Sequence, residues 1–137
     1  MRFPKLGQAQ LRLARGTVAA TIVFFLYLYL VWAFLLLGNV PFPSATAAFA
    51  SLFLPPAIIG GYITKDIVVG ACAGAIGNLL PIIIYFVIGW LPPEGVLMVI
   101  VGLFCGFAGG AFGGFLRTLI SKILFKQRKD KTIERDA

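Results

Sequence analysis

The sequence predicts an all-α protein, an integral membrane four-helix bundle, and three observations predict it. The 101 residues from Gly16 to Leu116 hold only three Lys, Arg, Asp or Glu side chains: Lys65, Asp66 and Glu94. A charge in hydrocarbon is costly, whereas a charged tail in water is not. The chain is 60% hydrophobic and 12% charged, about half the ~25% charge of an ordinary soluble domain. Turn chemistry then cuts the apolar stretch into four runs, each close to the length that crosses a core of ~30 Å.

The first span runs from Thr17 to Leu37 and ends at a Gly-, Asn- and Pro-containing turn over Gly38 to Ser44. A secretory signal is the competing reading, since Ala45-Thr46-Ala47 resembles a cleavage site. The apolar run is longer than the ~7–15 residues of a signal core, so the span is expected to be retained. The second span, Ala45 to Ile63, carries Pro55-Pro56. Thr64-Lys65-Asp66 forms a tight polar turn, with Thr64 or Asp66 as cap of the next helix. The third span, Ile67 to Leu91, carries Pro81 and stops at Pro92-Pro93-Glu94. The fourth starts at Gly95 and stays apolar to Leu116. Both the second and third helices are expected to be broken at their prolines.

Beyond Leu116 the pattern turns amphipathic. Leu116, Leu119, Ile120, Ile123 and Leu124 share one face, with Arg117, Ser121 and Lys122 opposite, as for a helix emerging along the interface. The chain thus divides into a basic N-terminal segment (1–16), a four-span domain (17–125) and a basic tail (126–137) expected to fray at its end.

Charge gives direction. Arg2, Lys5, Arg12 and Arg15 precede the first span, Lys65 lies between the second and third, and Arg117 with six further Lys or Arg follows the fourth. The other two turns carry neither Lys nor Arg. Four spans put both termini on one side, and the positive-inside rule makes that side the cytoplasm of a cell membrane protein. Trp90 fits an interfacial anchor at the opposite face. The net charge of +7 fits anionic headgroups better than nucleic acid, because the basic residues flank apolar spans. Arg12, Arg15, Arg117, Lys122 and Lys126 are the expected headgroup contacts.

Gly102, Gly106, Gly110 and Gly114 recur every four residues in the fourth span, with Gly109 and Gly113 beside them. Gly70, Gly74 and Gly77 share a face of the third. Small residues at this spacing let helix backbones approach closely. A tight antiparallel pair of the third and fourth helices is expected. A glycine-lined pore and an oligomer seam are the functional alternatives.

Asn78 is the most polar side chain at depth. It lies 12 residues past Asp66, about 18 Å along the axis and near the bilayer midplane. Pro81 frees the Gly77 carbonyl; Pro55 and Pro56 free those of Ser51 and Leu52. Interrupted helices at matched depth point to a midplane site formed by Asn78, Gly77, Pro81, Ser51 and Tyr85. The structural alternative is that Asn78 hydrogen-bonds a freed carbonyl and pins helices together. No Asp, Glu, Lys or His is expected inside the membrane to relay protons.

Ile59-Gly60-Gly61-Tyr62-Ile63 and Phe112-Gly113-Gly114-Phe115-Leu116 end the second and fourth spans alike, which suggests two hairpins related by a repeat. With Gly70-Ala71-Cys72-Ala73-Gly74-Ala75 opening the third span, residues 50–117 resemble uncharacterised small four-span membrane proteins of archaea and bacteria, a resemblance that implies no chemistry. Gly109 to Arg117 also resembles the glycine-and-arginine signature of small four-span fluoride channels. In that family the signature belongs to the first helix and is accompanied by a Phe-Thr-Thr-Phe-Ser type segment, which this chain lacks. Those channels also assemble in opposed orientations, unlike this one-sided charge pattern.

No histidine, paired carboxylate or nucleophile–base set is present, so an enzyme, a metal centre and a cofactor are not expected. Cys72 and Cys105 read as small hydrophobes. The leading expectation is a non-catalytic subunit or scaffold that associates through its glycine faces with copies of itself or a larger membrane complex. The alternatives are a small channel or transporter and a holin-like permeabilising protein.

Overall fold

The computed structural model describes residues 6–36, 45–89 and 95–136. The expected turns at 38–44 and 91–94, Trp90, Glu94, Arg2 and Lys5 lie outside them. The described residues form four helices: α1 (Leu6–Leu36), α2 (Ala45–Thr64), α3 (Ile67–Ile88) and α4 (Gly95–Asp136). All four are long and apolar enough to cross a membrane, so the chain is an all-α, multi-span membrane protein.

The central pair is α2 and α3. Both α1 and α4 pack on this pair, and among the described residues α1 and α4 do not touch each other. They therefore flank the pair from opposite sides, and α4 lies as fully against α2 as against α3.

Two expectations differ from the structure. Neither α2 nor α3 is interrupted: each is a single helix with its prolines inside it. A proline removes one N–H from the ladder and crowds the carbonyl four residues earlier. In a membrane bundle the remaining bonds and close neighbours hold the helix together across that gap. The basic tail is likewise helical, because α4 continues to Asp136. Its 42 residues span about 63 Å, twice the ~30 Å hydrocarbon thickness. The far half, with Phe125, Leu124 and Ile133 exposed, projects beyond the bundle.

The α2–α3 turn shows why the chain reverses in three residues. Lys65 takes the left-handed conformation (φ 62°), which costs a non-glycine residue about 1–2 kcal/mol. Its neighbours fix it there. Thr64, fully buried, donates from Oγ1 to the Gly61 carbonyl at 2.7 Å and lies 3.1 Å from the Asp66 carbonyl. The Asp66 carboxylate accepts from the N–H groups of Val68 (2.9 Å) and Val69 (3.1 Å), which satisfies two otherwise orphaned donors. Asp66 is thus the cap, and Thr64 is the stitch that closes the turn. At the other end of α3, Gly89 (φ 78°) caps the helix in the same left-handed region.

The interior changes character along its length. Near the α2–α3 turn it is built of glycine and alanine. Farther along, Phe24, Phe53, Ile82 and Met98 form a side-chain core, with the Phe24 and Phe53 rings stacked at 5.3 Å between centroids. Asn78 sits where the two regimes meet.

The turn gives a test. Lys65→Gly removes the steric penalty at positive φ and should leave the fold intact or stabilise it by up to ~1 kcal/mol, whereas Asp66→Ala should destabilise by ~1 kcal/mol. Reversible unfolding in mixed SDS and dodecylmaltoside micelles measures both.

Candidate functional site

The expected packing glycines, Gly70, Gly74, Gly102, Gly106, Gly110 and Gly114, are all buried. What matters is what a methyl group would meet at each. At Gly70 a Cβ would lie 2.6 Å from the Gly110 carbonyl, and at Gly106 it would lie 2.6 Å from Ala75 Cα. At Gly114 it would meet the Asp66 carbonyl at 2.5 Å, and at Gly74 the Cα of Gly110 at 3.1 Å. These obstacles are backbone atoms, which cannot swing aside. Stepping down α4 by four residues corresponds to stepping up α3 by four, as an antiparallel register requires.

Gly109 and Gly113 face a different helix. A Cβ at Gly109 would be 2.9 Å from Ala57 Cβ, and one at Gly113 would be 2.7 Å from the Tyr62 nitrogen, both on α2. Neighbouring glycines point about 100° apart on a helix. A Gly-Gly pair therefore lets one helix approach two others. The pair in α2 does the same: Gly60 faces Ala20 of α1 at 2.8 Å, while Gly61 faces the Gly110 Cα at 2.7 Å. Gly102 is the lenient member, since its Cβ would meet side chains alone, the tip of Ile82 at 3.0 Å and the Phe53 ring at an ordinary 3.6 Å.

One contact lies outside the sequence reading, and one corrects the expected placing of Gly77 on the face of α3 that meets α4. Gly16 places α1 against α2 and α3, with Ala73 Cβ at 2.9 Å and the Gly60 carbonyl at 3.0 Å from a built Cβ. Gly77 faces Ala20 and Thr17 of α1 and not α4. The spacing of Gly16, Ala20 and Phe24 by fours was the available signal. It is hidden in the sequence because α1 is apolar on every side.

The polar midplane set does not assemble as one constellation. Asn78 is fully buried, and its Nδ2 donates to the Phe53 carbonyl of α2 (3.2 Å) and the Gly102 carbonyl of α4 (3.0 Å). Both partners are acceptors, so the amide can be oriented only with nitrogen toward them. The carbonyls that prolines free in α2 belong to Ser51 and Leu52, two and one residues before the one Asn78 uses. Ser51 turns its hydroxyl to the Ala48 carbonyl of its own helix at 2.8 Å. Pro81 is fully buried. Tyr85 packs on the aromatic core, its ring 6.5 Å from that of Phe25. Asn78 Oδ1 is buried with no hydrogen-bond partner among the described residues.

The basic residues separate into two groups. Arg12 and Arg15 line a cleft of about 460 Å³ with Gln8, Leu11, Ile63 and Lys65. Arg117 donates from a guanidinium nitrogen to the Tyr62 hydroxyl at 3.1 Å and lies 4.9 Å from the centre of that ring. Lys122 and Lys126 stand exposed on the projecting part of α4. Among the described residues no group of three His, Cys, Asp or Glu could hold a metal ion.

Comparison with known protein families, with curated proteins and with solved structures gave no match.

The contact geometry predicts a graded series. Gly110→Ala, opposed by the backbone of α3 at Gly70 and Ala71, should lower stability by ~2–3 kcal/mol. Gly102→Ala, opposed by one flexible methyl, should cost under ~1 kcal/mol. Gly7→Ala, which meets nothing within 4 Å, should be neutral or stabilising by up to ~1 kcal/mol. Equal effects at the three positions in mixed-micelle unfolding would show that backbone contact does not decide the outcome.

Proposed function

We propose that this chain is a non-catalytic membrane component, a subunit or scaffold that works alongside copies of itself or within a larger membrane complex. The observation that carries the reading is the closed interior. At Gly61, Gly70 and Gly110 three helix backbones lie too close for a single added methyl group. A permeation path along the bundle axis would need room and a row of polar groups. Thr17, Thr64 and Asn78 are the buried polar side chains among the described residues, and Thr64 is committed to its turn.

On this reading the glycine faces hold the bundle itself together. Association with other chains then falls to the apolar outside. That outside includes α1, where Leu26 is 62% and Tyr29 77% exposed, and α4, where Phe104 is 76% exposed. The charge distribution supports both termini in the cytoplasm, with Arg12, Arg15, Arg117, Lys122 and Lys126 toward anionic headgroups. Extraction of the full chain into native nanodiscs tests the reading. Particles holding several copies, or a reproducible partner, are expected; single copies of the 14.8 kDa chain would overturn it.

One observation favours a second reading, a small channel or transporter: the unpartnered Asn78 Oδ1 in the middle of the bundle. An acceptor buried without a donor is costly, and a passing cation or donor would use it. Proteoliposome flux separates the two. On the scaffold reading vesicles stay tight, and Asn78→Ala changes only stability, by ~1–2 kcal/mol for its two interhelical bonds. Ion or solute flux that vanishes in Asn78→Ala would establish transport. Lysis of expressing cells would instead support a holin-like permeabilising role.

A further inference from the structure

Four cations gather around the α2–α3 turn, Arg12 and Arg15 of α1 in one cleft and Arg117 of α4 in a second, with Lys65 lining both. The cleft of about 460 Å³ between α1 and the turn has Arg12, Arg15, Lys65 and Gln8 on its walls. A second cleft of about 210 Å³ lies on the other side of the turn, between Tyr62, Lys65 and Arg117. Ile63 and Lys65 line both, so the two clefts adjoin across the same short stretch of chain.

Such a concentration of like charge raises the energy of the empty site unless something negative offsets it. Among the described residues no carboxylate lines either cleft to supply that charge. The nearest in sequence, Asp66, has its side chain turned to the N–H groups of Val68 and Val69. Among the described residues Arg12, Arg15 and Lys65 have no hydrogen-bond or ion-pair partner. Arg12 and Arg15 are one helical turn apart, which puts both guanidinium groups on one side of α1. Lys65 is held in the left-handed conformation by the turn around it, so its position is fixed by backbone and not by a side-chain partner.

We infer that the Arg12–Arg15–Lys65 cleft is a phosphate-binding site, occupied by one phosphate-bearing anion, with Gln8 as a neutral donor and Arg117 closing the neighbouring side. Guanidinium groups match phosphate oxygens through paired N–H donors, and the lysine adds a point charge. Leu11 and Ile63, 52% and 40% exposed, give the cleft an apolar floor. That floor suits the first carbons of a lipid tail below an anionic headgroup. The same cations would also hold a free phosphate compound arriving from water. The site is discrete: Lys122 and Lys126, equal in charge and exposed along α4, are no part of it.

Purified full chain in neutral detergent is titrated with short-chain phosphatidic acid, with short-chain phosphatidylcholine and with inorganic pyrophosphate, and bound species are counted by native mass spectrometry. Saturable binding of one phosphatidic acid per chain is expected. Losing one charge-assisted contact should weaken it about tenfold in Arg12→Gln and in Lys65→Gly. The second variant removes the charge at a position whose backbone favours glycine, so lost binding there cannot be ascribed to lost folding. The double variant Lys129→Gln with Lys131→Gln, two exposed cations on the projecting part of α4, should bind as the parent does. Phosphatidic acid bound at least tenfold more tightly than pyrophosphate identifies a lipid as the source; equal affinities identify a soluble phosphate. Absence of saturable binding would overturn the site. So would equal weakening in the cleft variants and in the Lys129/Lys131 variant, because the attraction would then be diffuse.

Discussion

Backbone-to-backbone contact at glycine is the constraint on which the bundle depends. In lipid there is no hydrophobic force to drive one helix onto another, so association rests on dispersion and on hydrogen bonds at short range. Dispersion falls steeply with distance, and helices separated by side chains lose much of it. Here Gly61 of α2, Gly70 of α3 and Gly110 of α4 bring three backbones together at one level. The same device one step away, at Gly16 and Gly60, draws α1 against α2. Each helix is covered on one side by a neighbour and on the other by what surrounds the bundle, which leaves many large apolar side chains outward.

That contact also sets where polar groups can go. With the backbones so close near the turn, a side chain as large as asparagine fits only where glycine gives way to the aromatic core. Asn78 takes that place and ties α3 to α2 and α4 at once through a single NH₂ group. The two accepting carbonyls come from helices that each run unbroken, and neither is a carbonyl freed by a proline. Asn78 therefore acts between helices and not as a repair of the prolines. The prolines lie inside unbroken helices, Pro56 and Pro81 fully buried, where packing offsets the lost bond.

The turn between α2 and α3 couples packing to the chain's chemistry. Thr64 and Asp66 satisfy the helix ends from inside the turn. This leaves Lys65, the residue between them, outward and unpaired beside Arg12 and Arg15. Gly114 fits under the Asp66 carbonyl, and one turn later on α4 Arg117 reaches Tyr62. A tight reversal, a close α4 and a ring of cations are consequences of one local geometry.

The sequence by itself determined that the chain has four apolar helices, where α2 and α3 begin and end to within a few residues, and that the charges gather beyond the spans. Transfer between water and hydrocarbon acts on composition, so a window of residues suffices to read it. It also marked Asn78 and the α4 glycines as special, because each departs from its surroundings. Only the tertiary structure decided which neighbour each glycine meets, that Gly77 turns to α1, that Asn78 chooses the carbonyls of Phe53 and Gly102, and that Lys65 shares a cleft with Arg12 and Arg15. A helix that is apolar all round has no stripe to say which side faces inward. Its rotation about its own axis is settled by contact with other helices, and the partners of every side chain follow from that rotation.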